Sequence, residues 1–193
     1  MQRSRSHDQP EGLESLARQA RNYALHMMRT TGSVPPTVIA DTDDGYIFCM
    51  PTSLTNDAAK DRFADIARLM AIAYTARAIV MVVEAWATLP NANGHLDTET
   101  PPSQSPDRKE IVALMLEDHL SSATSLLHIM RNTAGQFIEF GEPGPLQCGE
   151  TSGRFAGLMS SKKPSFQEAA KAKAALQHLG MSVINGGFDP SLN

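Results

Sequence analysis

The chain has 193 residues, of which 41% are hydrophobic and 20% are charged, and its formal net charge at pH 7 is −4. This size and composition are typical of one soluble globular domain and exclude a largely disordered chain. The acidic balance disfavours direct binding to nucleic acid, which needs a basic face to displace counterions. Because no apolar run reaches the ~18 residues of a membrane span, we expect a cytoplasmic protein without a membrane segment.

Residues 1–10 are polar and predict a flexible N-terminus, after which the spacing of apolar residues changes. From Glu11 to Thr30–Gly32, apolar side chains recur every three or four positions. This spacing places them on one face of an amphipathic helix. The predicted face consists of Leu13, Leu16, Ala17, Ala20, Ala24, Met27 and Met28.

Two short β-rich segments, Thr37–Ala40 and Tyr46–Met50, flank an acidic sequence that runs from Asp41 to Gly45. Glycine accepts the positive φ that tight hairpin turns require. The pattern therefore predicts a β-hairpin with an Asp-Gly turn. We interpret the aspartates as turn residues in preference to calcium ligands, because their spacing does not match a calcium-binding loop.

A second helix is predicted over Asn56–Tyr74, with Thr55 as its N-cap. Charged residues fall mostly on one side of this segment, which is typical of a solvated helix face. The opposite, apolar side consists of Phe63, Ile66, Met70 and Ala73.

The longest apolar run, Arg77–Pro90, predicts a central strand. Ile79–Val83 is apolar at every position, which indicates burial on both faces of a sheet. Strand alternation places Glu84 on one face with Trp86, the only tryptophan of the chain. Two interpretations of Glu84 stay open: a strand-end glutamate that bonds to backbone or to an arginine, or a functional carboxylate with a raised pKa.

Residues 90–106 predict a long polar loop, and three further β-rich segments follow it. Ile111–Leu116, Ser125–Arg131 and Gln136–Phe140 are separated by short polar connections, which predicts an antiparallel meander. Arg154–Met159 is a candidate edge strand. Counting the hairpin, the sheet would have four to six strands.

The last predicted helix begins at a capping box formed by Ser165 and Glu168, and it ends at Gly180. Residues 181–193 are interpreted as a tail, so the domain spans residues 11–180. The fold class is α+β, with a mostly antiparallel sheet and helices packed on one face. The expected buried side of the last helix consists of Phe166, Ala169, Ala170, Leu176 and Leu179.

The catalytic alternative is a metal-dependent hydrolase or nuclease. Glu84 and Asp107 would supply the two carboxylates of a magnesium site, although Lys109 precedes Glu110 and the order of a known nuclease motif is not met. Two groups of possible metal ligands lack a metal-binding spacing. They are His95 with Asp97, and His119 with Glu117 and Asp118. Nucleotide-binding and nucleophile motifs are missing from the sequence. We therefore predict no cofactor and no metal site.

Two segments, Glu84–Trp86 before the polar loop and Pro106–Glu110 at the start of a strand, resemble small uncharacterised proteins of plasmids and phages. The resemblance covers about residues 35–140 of the chain. Such accessory proteins are similar in size to inhibitors of host defence, including anti-CRISPR proteins. The resemblance implies a stoichiometric binder that blocks a host complex in the cytoplasm of the host cell, and it assigns no active-site residue.

Elimination of catalytic motifs favours a non-enzymatic, protein-binding protein. The low charge, the ten methionines and the alanine-rich last helix suit protein–protein contact or self-association as a homodimer. Trp86, Arg108 and Lys109 are the candidate binding residues. As a buried aromatic residue of the central strand, Trp86 is also expected to contribute about 3–5 kcal/mol to stability. The two cysteines, Cys49 and Cys148, are interpreted as reduced thiols, one of them buried.

Overall fold

A computed structural model describes residues 11–51, 54–88, 99–142, 144, 146–149 and 153–179. The predicted flexible N-terminus, the tail and Gly180 lie outside these residues, as does most of the polar loop. The described elements are α1 (Glu11–Thr31), β1 (Thr37–Thr42), β2 (Gly45–Cys49), α2 (Asp57–Ala73), β3 (Ala78–Ala87), a 3-10 turn (Pro102–Gln104), β4 (Lys109–Asp118), β5 (Ser122–Arg131), β6 (Phe137–Phe140), β7 (Gln147–Cys148) and α3 (Phe166–His178).

The strands form one antiparallel sheet in the order β2-β1-β3-β4-β5-β6, and the short β7 pairs with the other end of β5. The longest pairing joins β3 to β4, from Ala78 opposite Asp118 to Ala87 opposite Lys109. The predicted α+β class and the antiparallel meander are therefore confirmed. The hairpin of β1 and β2 is also confirmed, and Gly45 has the positive φ (107°) that the turn requires.

One face of the sheet is covered by α1. Every second residue of the central strands points to this helix, including Val80, Val82, Val112 and Leu114. The apolar face predicted for α1 is confirmed: Ala17 and Met27 are partly buried, and the other predicted residues are buried. This cluster extends along β3 as far as Val82.

The opposite face is covered by α2, which packs against α3. Ile79 and Met81 of β3 contact this second core together with Phe63 and Met70 of α2, and Leu176 belongs to the same cluster. Helices thus lie on both sides of the sheet, so their expected placement on one face is not confirmed. The apolar side chains on both faces of β3 account for this arrangement, because each face needs its own cover.

Two local predictions differ from the structure, and a third is confirmed. The N-cap of α2 is Asn56, whose side chain accepts from the Ala59 N–H at 2.8 Å, and not Thr55. Residues 153–159 form bends and turns and not an edge strand. The capping box of Ser165 and Glu168 is confirmed at the start of α3.

The buried side of α3 is narrower than predicted. Ala169 and Leu176 are buried together with Ala172, whereas Ala170 and Leu179 are exposed. Phe166 is 89% exposed, because α3 contacts its neighbours through Ala172 and Leu176, more than one turn further along the helix. Among the described helices, none is both long enough and apolar enough to cross a lipid bilayer.

Candidate functional site

Trp86 lies near the end of β3, beyond the part of the sheet that α1 covers. Its side chain is on the α1 face, as strand alternation predicts, but the core under α1 ends at Val82. Trp86 is consequently 45% exposed. The expectation that it is a buried core residue is therefore wrong, and the tryptophan presents much of its ring at the surface.

Arg108 lies over the ring of Trp86. The central carbon of its guanidinium is 4.7 Å from the ring centroid, which is the geometry of a cation–π contact. One guanidinium nitrogen donates to the backbone oxygen of Ser103 at 2.6 Å, so the 3-10 turn before β4 holds the arginine in place. Of the predicted binding residues, Trp86 and Arg108 therefore meet in space.

Lys109 is the exception among the predicted binding residues. In the β3–β4 register, Trp86 is opposite Glu110 and Ala87 is opposite Lys109. Directly opposed residues share a face, and successive residues alternate between faces. Lys109 is thus exposed on the sheet face opposite to Trp86.

Next to Trp86, an ionic cluster joins the ends of β3, β4 and β5. Arg131 donates to both carboxylate oxygens of Glu110, from Nε and from a terminal nitrogen, each at 2.7 Å. The same terminal nitrogen is 3.8 Å from Oε1 of Glu84. The three side chains are each about one-quarter exposed, which makes the bidentate pair stronger than a fully solvated one.

The pKa values of the two glutamates move in opposite directions. Burial, followed by the proximity of Glu110, raises the pKa of Glu84. The hydrogen bond from Arg131 lowers the pKa of Glu110. Glu110 therefore holds its charge more firmly than Glu84, and Arg131 balances the charge of Glu110.

This cluster also fixes the connection from α1 to β1. The Val34 N–H donates to Oε2 of Glu84 at 2.9 Å, and Arg131 donates to the backbone oxygen of Gly32 at 3.5 Å. Gly32 has a positive φ of 77° and ends the helix as a C-terminal glycine does. These contacts favour the interpretation of Glu84 as a strand-end glutamate bonded to backbone and to an arginine.

Asp107, the other proposed catalytic carboxylate, lies in the turn before β4 and is exposed. Its backbone N–H donates to the Ser105 hydroxyl at 3.2 Å. Glu84 instead makes its contacts with Val34, Glu110 and Arg131. Arg131 supplies the positive charge beside Glu84, so the surroundings of Glu84 are those of an ion pair.

The acidic residues at the end of β4 have structural partners. Glu117 is 6% exposed and accepts from the backbone N–H groups of Gly157, Leu158 and Met159. Asp118 accepts from two N–H groups of the β4–β5 turn, and a ring nitrogen of His119 is 2.6 Å from the Ser160 backbone oxygen. Within the described residues, no three histidine, cysteine or acidic side chains are placed to hold a metal ion. His95 and Asp97 lie outside those residues.

Both cysteines are free thiols. Cys49 is buried, and this burial raises the pKa of its thiol to about 11. Cys148 is exposed on β7. The interpretation of two reduced cysteines with one in the core agrees with this placement.

Sequence reasoning did not identify the partners of Glu84. Glu110 and Arg131 are 26 and 47 positions away along the chain, and only the β3–β4–β5 register brings them together. The Arg108–Trp86 contact similarly depends on the path of residues 99–108. Comparison of the chain with protein-family models, curated proteins and solved structures gives no match.

Proposed function

We propose that this protein is a non-enzymatic, protein-binding domain whose contact surface is centred on Trp86 and Arg108. The observation that carries the proposal is the exposed tryptophan ring held under a guanidinium that is itself anchored to Ser103. Tryptophan and arginine are the residues most often found at the energetic centres of protein interfaces. Anchoring before binding reduces the side-chain entropy that a partner must offset.

The surroundings of the pair suit an interface. Glu110, opposite Trp86 in the register, is already paired with Arg131, so covering Trp86 leaves no isolated carboxylate beneath it. A paired charge costs less to bury than a single one. Arg108 contacts the Trp86 ring and donates to the Ser103 backbone oxygen. Its guanidinium has further donors for an acidic group of the partner.

Trp86→Ala is expected to weaken partner binding by about 2–4 kcal/mol, or roughly 30- to 1000-fold in the dissociation constant. Stability should change by only about 1 kcal/mol, because the ring is half exposed and the cation–π contact is small. Capture of host proteins on the tagged wild-type and variant proteins, followed by calorimetric titration of the retained partner, measures the first effect. Urea unfolding measures the second.

Phe166→Ala is the matched control for this test. It removes an exposed aromatic ring on α3 that does not belong to the proposed surface. We expect Phe166→Ala to retain the partner with wild-type affinity. Two outcomes would contradict the proposal. In the first, wild-type and Trp86→Ala proteins retain the partner equally well. In the second, Phe166→Ala weakens partner binding as much as Trp86→Ala does.

The partner proposed from the sequence resemblance is a host defence complex of the kind that anti-CRISPR proteins block, reached in the host cytoplasm. A second copy of the chain is the other proposed partner. Sedimentation velocity separates the two, because a homodimer would form in the purified protein without any host component. If Trp86 lies in the dimer interface, Trp86→Ala should convert the dimer to monomer.

The hydrolase alternative has one observation in its favour, the raised pKa of Glu84. A raised pKa suits a general acid or base. The bonds of Glu84 to Val34 and its proximity to Arg131 explain the position of the carboxylate without catalysis. A screen for magnesium-dependent hydrolysis, repeated on Glu84→Gln and Asp107→Asn, distinguishes this alternative from the binding proposal.

A further inference from the structure

A cavity of about 600 Å³ lies between α2, α3 and the segment that leads into α3. Its apolar wall consists of Leu69 and Ile72 from α2 and Ala172 and Ala175 from α3. The alanines of α3 create the space, because short side chains leave a gap where the two helices meet. Cavities of roughly 300–1,000 Å³ with apolar walls are typical of small-molecule sites.

Three lysines line the same cavity. Lys162 and Lys163 come from the segment before α3, and Lys171 comes from α3 itself. No described carboxylate lies within 4.0 Å of any of the three ammonium groups. In a chain of net charge −4, these three lysines thus form a local group of positive charges without a described carboxylate at ion-pair distance.

Glu168 is the acidic residue among those that line the cavity. Its Oε2 accepts from the Ser165 N–H at 2.8 Å and from the Ser165 hydroxyl at 2.6 Å. The carboxylate is therefore engaged by the capping box. These Ser165 hydrogen bonds, and to a smaller extent the charge of Lys171, lower the pKa of Glu168. A fourth lysine of this region, Lys173, lies instead over the ring of Tyr74 at 5.2 Å.

We propose that this cavity binds a small amphiphilic carboxylate, with its hydrocarbon body against the α2 and α3 walls and its anionic head among Lys162, Lys163 and Lys171. The occupant is an acyl-chain acid, because the wall side chains are aliphatic and the basic groups lie on the cavity lining beside them. Charge complementarity selects the anion, and the apolar wall selects the chain over a bare anion. This site is independent of the Trp86 surface, so either proposal can fail alone.

The test is calorimetric titration of the full-length protein with decanoate below its micellar range. We expect saturable one-to-one binding of decanoate, much weaker binding of decylammonium, and no binding of acetate. Decylammonium has the same body with the opposite charge, and acetate has the same head without the body. Equal binding of decanoate and decylammonium would overturn the role of the lysines.

Variants locate the ligand. The triple variant Lys162→Gln, Lys163→Gln and Lys171→Gln should bind decanoate about tenfold or more weakly, and Ala175→Phe should do the same by filling the cavity. Lys60→Gln, near the start of α2 and outside the cavity lining, should stay within about twofold of wild type. Wild-type affinity in both the triple variant and Ala175→Phe would show that decanoate binds elsewhere and would refute the site.

Discussion

Glu117→Ala is expected to be about 3–4 kcal/mol less stable to unfolding than the wild-type protein. Glu117 is buried at the end of β4, and its carboxylate accepts from three consecutive N–H groups: Gly157 at 2.8 Å, Leu158 at 2.7 Å and Met159 at 3.0 Å. Alanine removes the acceptor of all three N–H groups, of which the one on Leu158 is buried and the other two are partly buried. The measurement is urea unfolding followed by circular dichroism.

The loss should exceed that of one hydrogen bond because the bonds hold a whole segment. Leu158 inserts into the core between the sheet and α2, and its position depends on the Glu117 carboxylate. From the other side, Arg68 of α2 donates to the backbone oxygens of Arg154, Ala156 and Gly157. Residues 154–159 are thus fixed between the sheet and α2 from two sides. Glu117 binds their N–H groups, and Arg68 binds their carbonyl groups.

Two variants serve as controls for Glu117→Ala. Glu117→Gln keeps one acceptor oxygen and should lose about 2 kcal/mol. Glu139→Ala removes an exposed glutamate of β6 and should stay within about 0.5 kcal/mol of wild type. Hydrogen exchange adds a local readout, since the amides of residues 157–159 should lose protection first. A Glu117→Ala protein with wild-type stability would mean that the segment is held by Arg68 and by packing alone.

The elements that sequence reasoning identified correctly are those determined by local patterns. The apolar period of α1, the hairpin turn that ends at Gly45 and the capping box at Ser165 each depend on residues a few positions apart. The meander follows from β-rich segments with short connections. Such signals are complete within the segment that they describe.

The predictions that the structure does not confirm, the placement of the helices and the burial of Trp86, depend on how distant segments of the chain are arranged. The continuous apolar run Ile79–Val83 indicates burial on both faces of the sheet, yet all helices were expected on one face. The tertiary structure shows which helix covers which face. The α1 helix packs on the face that contains Val80, and α2 and α3 pack on the face that contains Ile79. Trp86 was expected in the core for the same reason: its exposure depends on where α1 ends over the sheet, and no local pattern of β3 contains that information.

The candidate site shows the same division. The sequence predicts Trp86 and Arg108 as binding residues by type, and in the structure their side chains are in contact. The sequence marks Glu84 as an unusual strand residue. For its partner Arg131, it predicts only a place at the end of a strand. The partnership requires the register of three strands, which amino-acid spacing alone does not give. The lysine-lined cavity was missed because its walls come from two helices and a loop far apart in sequence.

Arg131→Met is expected to lower the free energy of unfolding by about 2–3 kcal/mol at pH 7. Methionine keeps much of the side-chain volume but removes the bidentate bond to Glu110 and the contact with Glu84. Two carboxylates then face each other in a partly buried site without a compensating cation. The end of α1 also loses the bond from Arg131 to the Gly32 oxygen.

The pH dependence identifies the cause of this loss. The lowered pKa of Glu110 stabilises the wild-type protein above its unfolded pKa near ~4.3, and this contribution disappears as the pH falls through the lowered folded-state pKa. The raised pKa of Glu84 has the opposite sign: its contribution is present at low pH and disappears as the pH rises through the folded-state pKa. The gap between wild type and Arg131→Met should therefore be full at neutral pH and should shrink as the pH falls and the two carboxyl groups become protonated.

A second substitution tests the same argument at neutral pH. Glu84→Gln keeps an acceptor oxygen for the Val34 N–H and removes the charge that Glu110 repels, so alone it should change stability by less than about 1 kcal/mol. Added to Arg131→Met, it should restore roughly half of the lost stability, because only one carboxylate remains. If the double variant is no more stable than Arg131→Met at pH 7, repulsion between Glu84 and Glu110 is not the source of the loss. The hydrogen bonds of Arg131 to the backbone would then be its main contribution to stability.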